Sequence, residues 1–150
     1  MTETAPDTRS TTPWHLWGVG IASVFFYGVG AYDHTMALSE NSAYFRAQNY
    51  DSEQIQYFTD YPLLPAVFWT VGVWSALLAA ILLLLRNRWA VSASIAGLLG
   101  LLILDVLTFG FRDRWQTLGP QLALFDLGVL ALTTGFAVYC RAMKSRGSLR

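Results

Sequence analysis

The sequence predicts an all-α integral membrane protein: an antiparallel four-helix bundle, with short interfacial helices in the outer loop between spans one and two. Three observations carry this reading. Only 13% of the 150 residues are Asp, Glu, Lys or Arg, while 54% are hydrophobic; a soluble domain carries about 25% charged residues. The charge that is present gathers at the ends of four long apolar stretches, each matching the ~20 residues needed to cross a ~30 Å hydrocarbon core. The basic residues also divide unequally between the two sides of those stretches, as they do in polytopic membrane proteins.

The spans are expected near 13–33, 61–85, 88–110 and 121–142. Between Arg9 and Asp33 there is no Lys, Arg, Asp or Glu, and Tyr61–Leu85 is uncharged throughout. Trp89–Phe111 holds one acid, Asp105, and Trp115–Cys140 holds one, Asp126. Continuous apolar runs of this kind lack the alternation of a transmembrane β-strand. The first stretch is read as a retained span, not a cleaved signal peptide: its apolar part is too long, its flank carries one Arg against two acids, and no small-x-small site follows. Residues 1–12, rich in Thr, Ser and Pro, read as a disordered cytoplasmic tail. Residues 13–143 form the transmembrane domain, and 144–150 a basic cytoplasmic tail.

Seven basic residues (Arg9, Arg86, Arg88, Arg141, Lys144, Arg146 and Arg150) fall on one side and three (Arg46, Arg112 and Arg114) on the other. Both termini are therefore expected in the cytoplasm, with loops 34–60 and 111–120 outside. In the longer loop, Asp51-Ser52-Glu53-Gln54 has capping-box spacing. Ile55, Tyr57, Phe58 and Tyr61 follow at helical intervals. A second short helix is expected over Asn41–Gln48, with Tyr44 and Phe45 on its apolar side. Tyr44, Tyr50, Tyr57 and Tyr61 crowd one membrane boundary, either as an aromatic belt or as part of a lid over the bundle mouth. Trp14, Trp17 and Trp89 mark the inner boundary, and Trp115 the outer one. Pro62 and Pro65 fit the first turns of span two, where a missing N–H costs least. Gly18, Gly20, Gly28 and Gly30 in span one, and Ser92, Ser94, Ala96, Gly97 and Gly100 in span three, are small residues that let membrane helices approach closely. No internal repeat marks an inverted-topology transporter.

Together, Trp14-His15-Leu16-Trp17, Gly30-Ala31-Tyr32-Asp33, Glu53-Gln54 with Tyr57-Phe58, Val73-Trp74, and Leu82–Leu85 leading into Arg86-Asn87-Arg88-Trp89-Ala90-Val91 form a set. The chain resembles a group of small uncharacterised bacterial four-span inner-membrane proteins, some labelled "sugar transporter". The resemblance covers roughly residues 13–148 and is strongest up to Val91. It implies fold and inner-membrane location, and its short motifs are not catalytic. Members of that group usually carry Thr, Tyr or Asn where this chain has Asp105, so chemistry at Asp105 would belong to this protein.

The candidate polar or proton site comprises Asp33, His34, Asp105, Asp126 and Arg112. Asp105 and Asp126 are the acids well inside the apolar runs, each about five residues, or roughly 7–8 Å, below the outer surface. On neighbouring antiparallel helices they could face each other, raising at least one pKa. An intramembrane carboxylate is a functional-site hypothesis by default. The structural alternative is polar packing, with Arg112 reaching down to Asp105 and Tyr27, Trp69, Thr108 and Trp115 as further donors. Tyr32-Asp33-His34 closes span one on the same side, either as a proton-handling pair or as a plain polar helix end.

No metal or cofactor is expected. One His beside one Asp is too few ligands, and His15 lies 19 residues, roughly 28 Å, from His34, so the two cannot share a haem. A single cysteine, Cys140, excludes an internal disulfide and reads as a small apolar residue. A formal net charge of zero, with no basic face, argues against nucleic-acid binding. No phosphate loop or nucleophile elbow appears, so an enzyme is not expected. The expected partners are the lipid bilayer and either a second copy of the chain or a larger membrane complex. Two functional readings remain: a non-enzymatic packing or accessory component of a membrane assembly, or a minimal oligomeric carrier for a proton-coupled small solute using an outward-facing acidic pocket.

Overall fold

The computed structural model describes residues 12–150; the N-terminal tail expected over 1–12 lies almost wholly outside the described residues. Six helices follow in order: α1 (His15–Leu38), α2 (Ser42–Ala47), α3 (Ser52–Thr59), α4 (Leu63–Leu84), α5 (Trp89–Phe111) and α6 (Arg114–Ser145). There is no strand among the described residues.

Three helices are long and apolar enough to cross a membrane: α4, α5 and α6, with mean hydropathies of 2.3, 2.2 and 1.7 over their most apolar windows. Four were expected. At 24 residues, about 36 Å, α1 has the length, but His15, Tyr27, Tyr32, Asp33 and its glycines dilute its apolar character.

α4 and α5 form a tight hairpin. Their seam is built from small residues: a Cβ on Gly100 would lie 2.7 Å from the Gly72 backbone nitrogen, and one on Gly97 would lie 2.9 Å from that of Ala76. Only hydrogen at these positions lets the backbones meet, so dispersion contacts run the length of the pair. Gly72 is the partner that the sequence pattern did not single out. Conversely, Gly18, Gly28 and Gly30 do not serve close packing, because a Cβ on any of them meets nothing within 4 Å. Gly20 alone in α1 is tightly opposed, by Leu84.

α1 packs against α4, and α6 packs against α5. α1 and α6 touch through side chains over the half nearer the chain termini. There His15 Nδ1 lies 2.6 Å from the Tyr139 hydroxyl, Tyr27 donates to Thr133 Oγ1 at 3.1 Å, and the Tyr27 and Phe136 rings lie 5.5 Å apart.

α6 is two helical pieces joined at Gly119, which has left-handed φ of 82° and ψ of 165°; Pro120 follows and opens the longer piece. The longer piece therefore starts at Pro120, and 114–118 forms a separate helical turn before it. The end of the segment expected as a basic cytoplasmic tail, 144–150, is docked on the helices. Ser148 and Leu149 are buried, and the Arg150 backbone exchanges hydrogen bonds with Arg86 and Arg88 in the α4–α5 turn. Leu149 supplies the physical reason, since it joins Leu83, Ala90 and Met143 in the core at that end.

The loop helices form as their local signals dictate. Asp51 accepts from Gln54 N at 2.9 Å while the Gln54 side chain accepts from Asp51 N at 3.2 Å, a complete capping box. Asn41 caps α2 by accepting from Tyr44 N.

Candidate functional site

A cavity of about 480 Å³ lies between α1, α4, α5 and α6 under the α2–α3 segment. α1 contributes Tyr27, Gly30 and Asp33; α5 contributes Leu101, Leu104 and Asp105; α6 contributes Arg114, Leu122, Asp126 and Val129. Val73 and Trp69 of α4 complete the wall, and Gln48, Tyr50 and Phe58 close the top. The acids sit at one end, and the far end is apolar. Asp33 and Tyr27 stand six residues apart on α1, about 9 Å along the axis.

Each carboxylate is held differently. Asp126 accepts a hydrogen bond from Arg114 Nε at 2.5 Å, a charge-assisted pair whose side chains are 19% and 11% exposed. Asp33 accepts from the hydroxyl of Tyr44 in α2, tying the loop to the end of α1. Asp105 has a buried carboxylate oxygen, Oδ2, with no hydrogen-bond partner. A buried polar atom left alone costs free energy, so Asp105 is the cavity acid that the chain leaves incompletely satisfied.

Two expected site residues lie elsewhere. Arg112 does not reach down to Asp105. Asp113 adopts a left-handed backbone, φ 46°, ending α5 at Phe111, so Arg112 no longer continues the α5 face above Asp105. Its guanidinium instead covers the Tyr57 and Tyr61 rings, at 4.1 and 4.7 Å, and donates to the Tyr57 carbonyl at 3.1 Å. His34 turns toward α4. Because Thr70 donates its own proton to the Ala66 carbonyl, His34 Nε2 is the donor in its 3.0 Å bond to Thr70, which leaves buried Nδ1 without a partner. The site as built thus contains Asp33, Asp105 and Asp126, with Arg114 in place of Arg112.

The roof is aromatic. Phe58 stacks between Tyr50 and Tyr61, at 5.7 and 6.2 Å, and Trp69 leans on Phe58 and Tyr61. Burial pushes the Tyr44 phenol above its ordinary pKa, and its bond to Asp33 pushes the same way. Tyr50 is raised too, by burial and then by the nearby Asp33 charge. Both therefore remain protonated donors at any physiological pH. Sequence reasoning had Tyr44 and Tyr50 as boundary aromatics but did not connect them with Asp33.

Among the described residues, no group of three His, Cys, Asp or Glu side chains is arranged to hold a metal ion. Comparison with known protein families, curated proteins and solved structures finds no match to this chain.

Proposed function

We propose that this chain is a four-span inner-membrane protein that binds a small molecule in the cavity between its helices, as a minimal carrier with no catalytic step. In this reading α1 is the fourth span, lying beside α4, with both termini cytoplasmic and α2 and α3 at the outer face. The basic residues at the α4–α5 turn and around the end of α6 support that orientation. The resemblance of the sequence to small inner-membrane proteins supports the location.

The observation that carries the binding reading is the convergence of Asp33, Asp105 and Asp126, from three different helices, on one cavity of about 480 Å³. That size lies within the ~300–1,000 Å³ typical of small-molecule sites. A protein serving only as packing has no use for three carboxylates around an open volume, since each is costly inside a membrane. The accessory-component reading keeps one supporting observation: Asp33 and Asp126 both have partners within the chain.

Gly30 offers a clean test, because it lines the cavity and a Cβ there meets nothing within 4 Å. Gly30→Phe should fill the volume without disturbing the helix contacts. In a thermal-shift screen of small solutes in mild detergent, compounds that stabilise the wild type should lose their effect on Gly30→Phe. Identical responses from the two proteins would overturn the binding reading.

A further inference from the structure

We propose that the occupant is an amphipathic organic cation, an alkyl- or arylalkyl-ammonium molecule, which enters sideways between α1 and α6 and sets its charge against Asp105. The inference rests on the cavity being a binding site and names what it takes.

The route comes from the packing. The α1–α6 seam is closed by Tyr27, Thr133 and Phe136 at mid-height and by His15 and Tyr139 below. Flanking Tyr27 and above it, the cavity-lining residues Phe25, Val29 and Phe125 are 76%, 53% and 61% exposed. Side chains that line a cavity and also face outward mark its mouth. With α1 and α6 as spans, that mouth opens to the bilayer, so a ligand already dissolved among lipid chains reaches it without crossing the aromatic roof.

The class of ligand comes from the chemistry of the walls. Three carboxylates face one guanidinium. Arg114 balances Asp126, Asp33 accepts from Tyr44, and Asp105 Oδ2 accepts from nothing. The unmatched charge is negative, which disfavours an anion. Below the acids the walls are Val73, Leu101, Leu104 and Val129, and the Tyr27 hydroxyl there is already committed to Thr133, so little replaces the hydration of a sugar. A bare metal ion lacks a ligand set here. An ammonium with an apolar body meets every feature: Asp105 receives its N–H donors, Tyr50 and Trp69 bring aromatic rings to the wall near the charge, and the apolar end takes the body.

Isothermal titration in nanodiscs, with empty-disc controls subtracted, decides this with three probes of one shape: phenylbutylamine, phenylbutanol and phenylbutyrate. Wild type should bind the amine about tenfold or more tighter than the alcohol, and the carboxylate weakest. Asp105→Asn should erase the preference, dropping the amine to about the affinity of the alcohol, and Asp105→Glu should keep the preference. Equal binding of amine and alcohol, or an amine preference that survives Asp105→Asn, would overturn the cation assignment while the cavity reading stands on the alcohol. If none of the probes binds, or if Gly30→Phe leaves binding intact, both readings fall.

Discussion

Arg114 and Asp126 meet at 2.5 Å although they lie 12 residues apart in one helical segment. In a straight helix they would be about 18 Å apart along the axis. The break at Gly119 turns the first piece of α6 back over the cavity and delivers the guanidinium to the carboxylate. The acids that α5 and α6 bring to the cavity therefore have different roles: Asp126 is spoken for and Asp105 is not.

That difference predicts unequal substitutions. Asp126→Asn leaves Arg114, 9% exposed, without its counter-charge and should destabilise the protein by on the order of 3 kcal/mol. Asp105→Asn removes a charge that has no partner and should leave stability unchanged or slightly raised. Thermal unfolding in detergent, singly and combined, reads both effects as a double-mutant cycle. Equal losses from the two single substitutions would contradict the assignment of Arg114 to Asp126.

How much of this was legible before the structure depends on the range of the signal. The helices and the Asp51–Gln54 cap were readable because hydropathy and capping are local. Asp33, Asp105 and Asp126 were found as acids at odds with apolar surroundings. The choice between Arg112 and Arg114 was not readable, since it turns on a left-handed Asp113 and the break at Gly119. Gly119-Pro120 is a visible breaker pair, and its consequence for Arg114 was the available signal. The roles of Gly30 and Gly72 were also hidden, because a small residue looks the same in sequence whether it lines a seam or a void.

The α4–α5 seam supplies a second contrast. Gly100→Ala forces a methyl against the Gly72 backbone and should cost about 1–3 kcal/mol by overpacking. Gly28→Ala, where nothing lies within 4 Å, should be neutral or stabilising by up to about 1 kcal/mol through reduced backbone entropy. Denaturation midpoints of the two variants measure the difference, and matching midpoints would mean that the helices are not held at backbone contact.

The cap on α3 should be separable from the rest of the fold. Asp51→Ala removes the acceptor for Gln54 N and should cost about 0.5–2 kcal/mol. Because α3 carries Phe58 into the roof, hydrogen exchange over residues 53–58 should accelerate while α4 and α5 stay protected. Unchanged exchange there would mean that the cap does not hold the helix.

Orientation is testable with one engineered thiol. The native Cys140 is buried, so background reactivity with an impermeant maleimide is low. Ser52→Cys, on the exposed first turn of α3, should label in intact cells, whereas Ser145→Cys at the end of α6 should label only after lysis. The reverse pattern would invert the topology.

The Tyr44–Asp33 bond makes a prediction in alkali. A free tyrosine loses its proton near pH 10, and in the folded chain burial and the Asp33 carboxylate hold the Tyr44 proton beyond that. A folded pKa above the unfolded one means that the native state keeps the proton when the unfolded chain has released it. The stability this contributes is complete below about pH 10 and is lost as pH rises toward the folded pKa. Tyr44→Phe should therefore cost about 1–3 kcal/mol at neutral pH, through the donor lost to Asp33, and the gap between variant and wild type should narrow above pH 10. The phenolate absorbance of the native protein at pH 10–11 should be the same with and without Tyr44, because that residue is silent there. A clear fall in that absorbance in Tyr44→Phe would show that Tyr44 titrates like an exposed phenol and does not hold α2 to the end of α1.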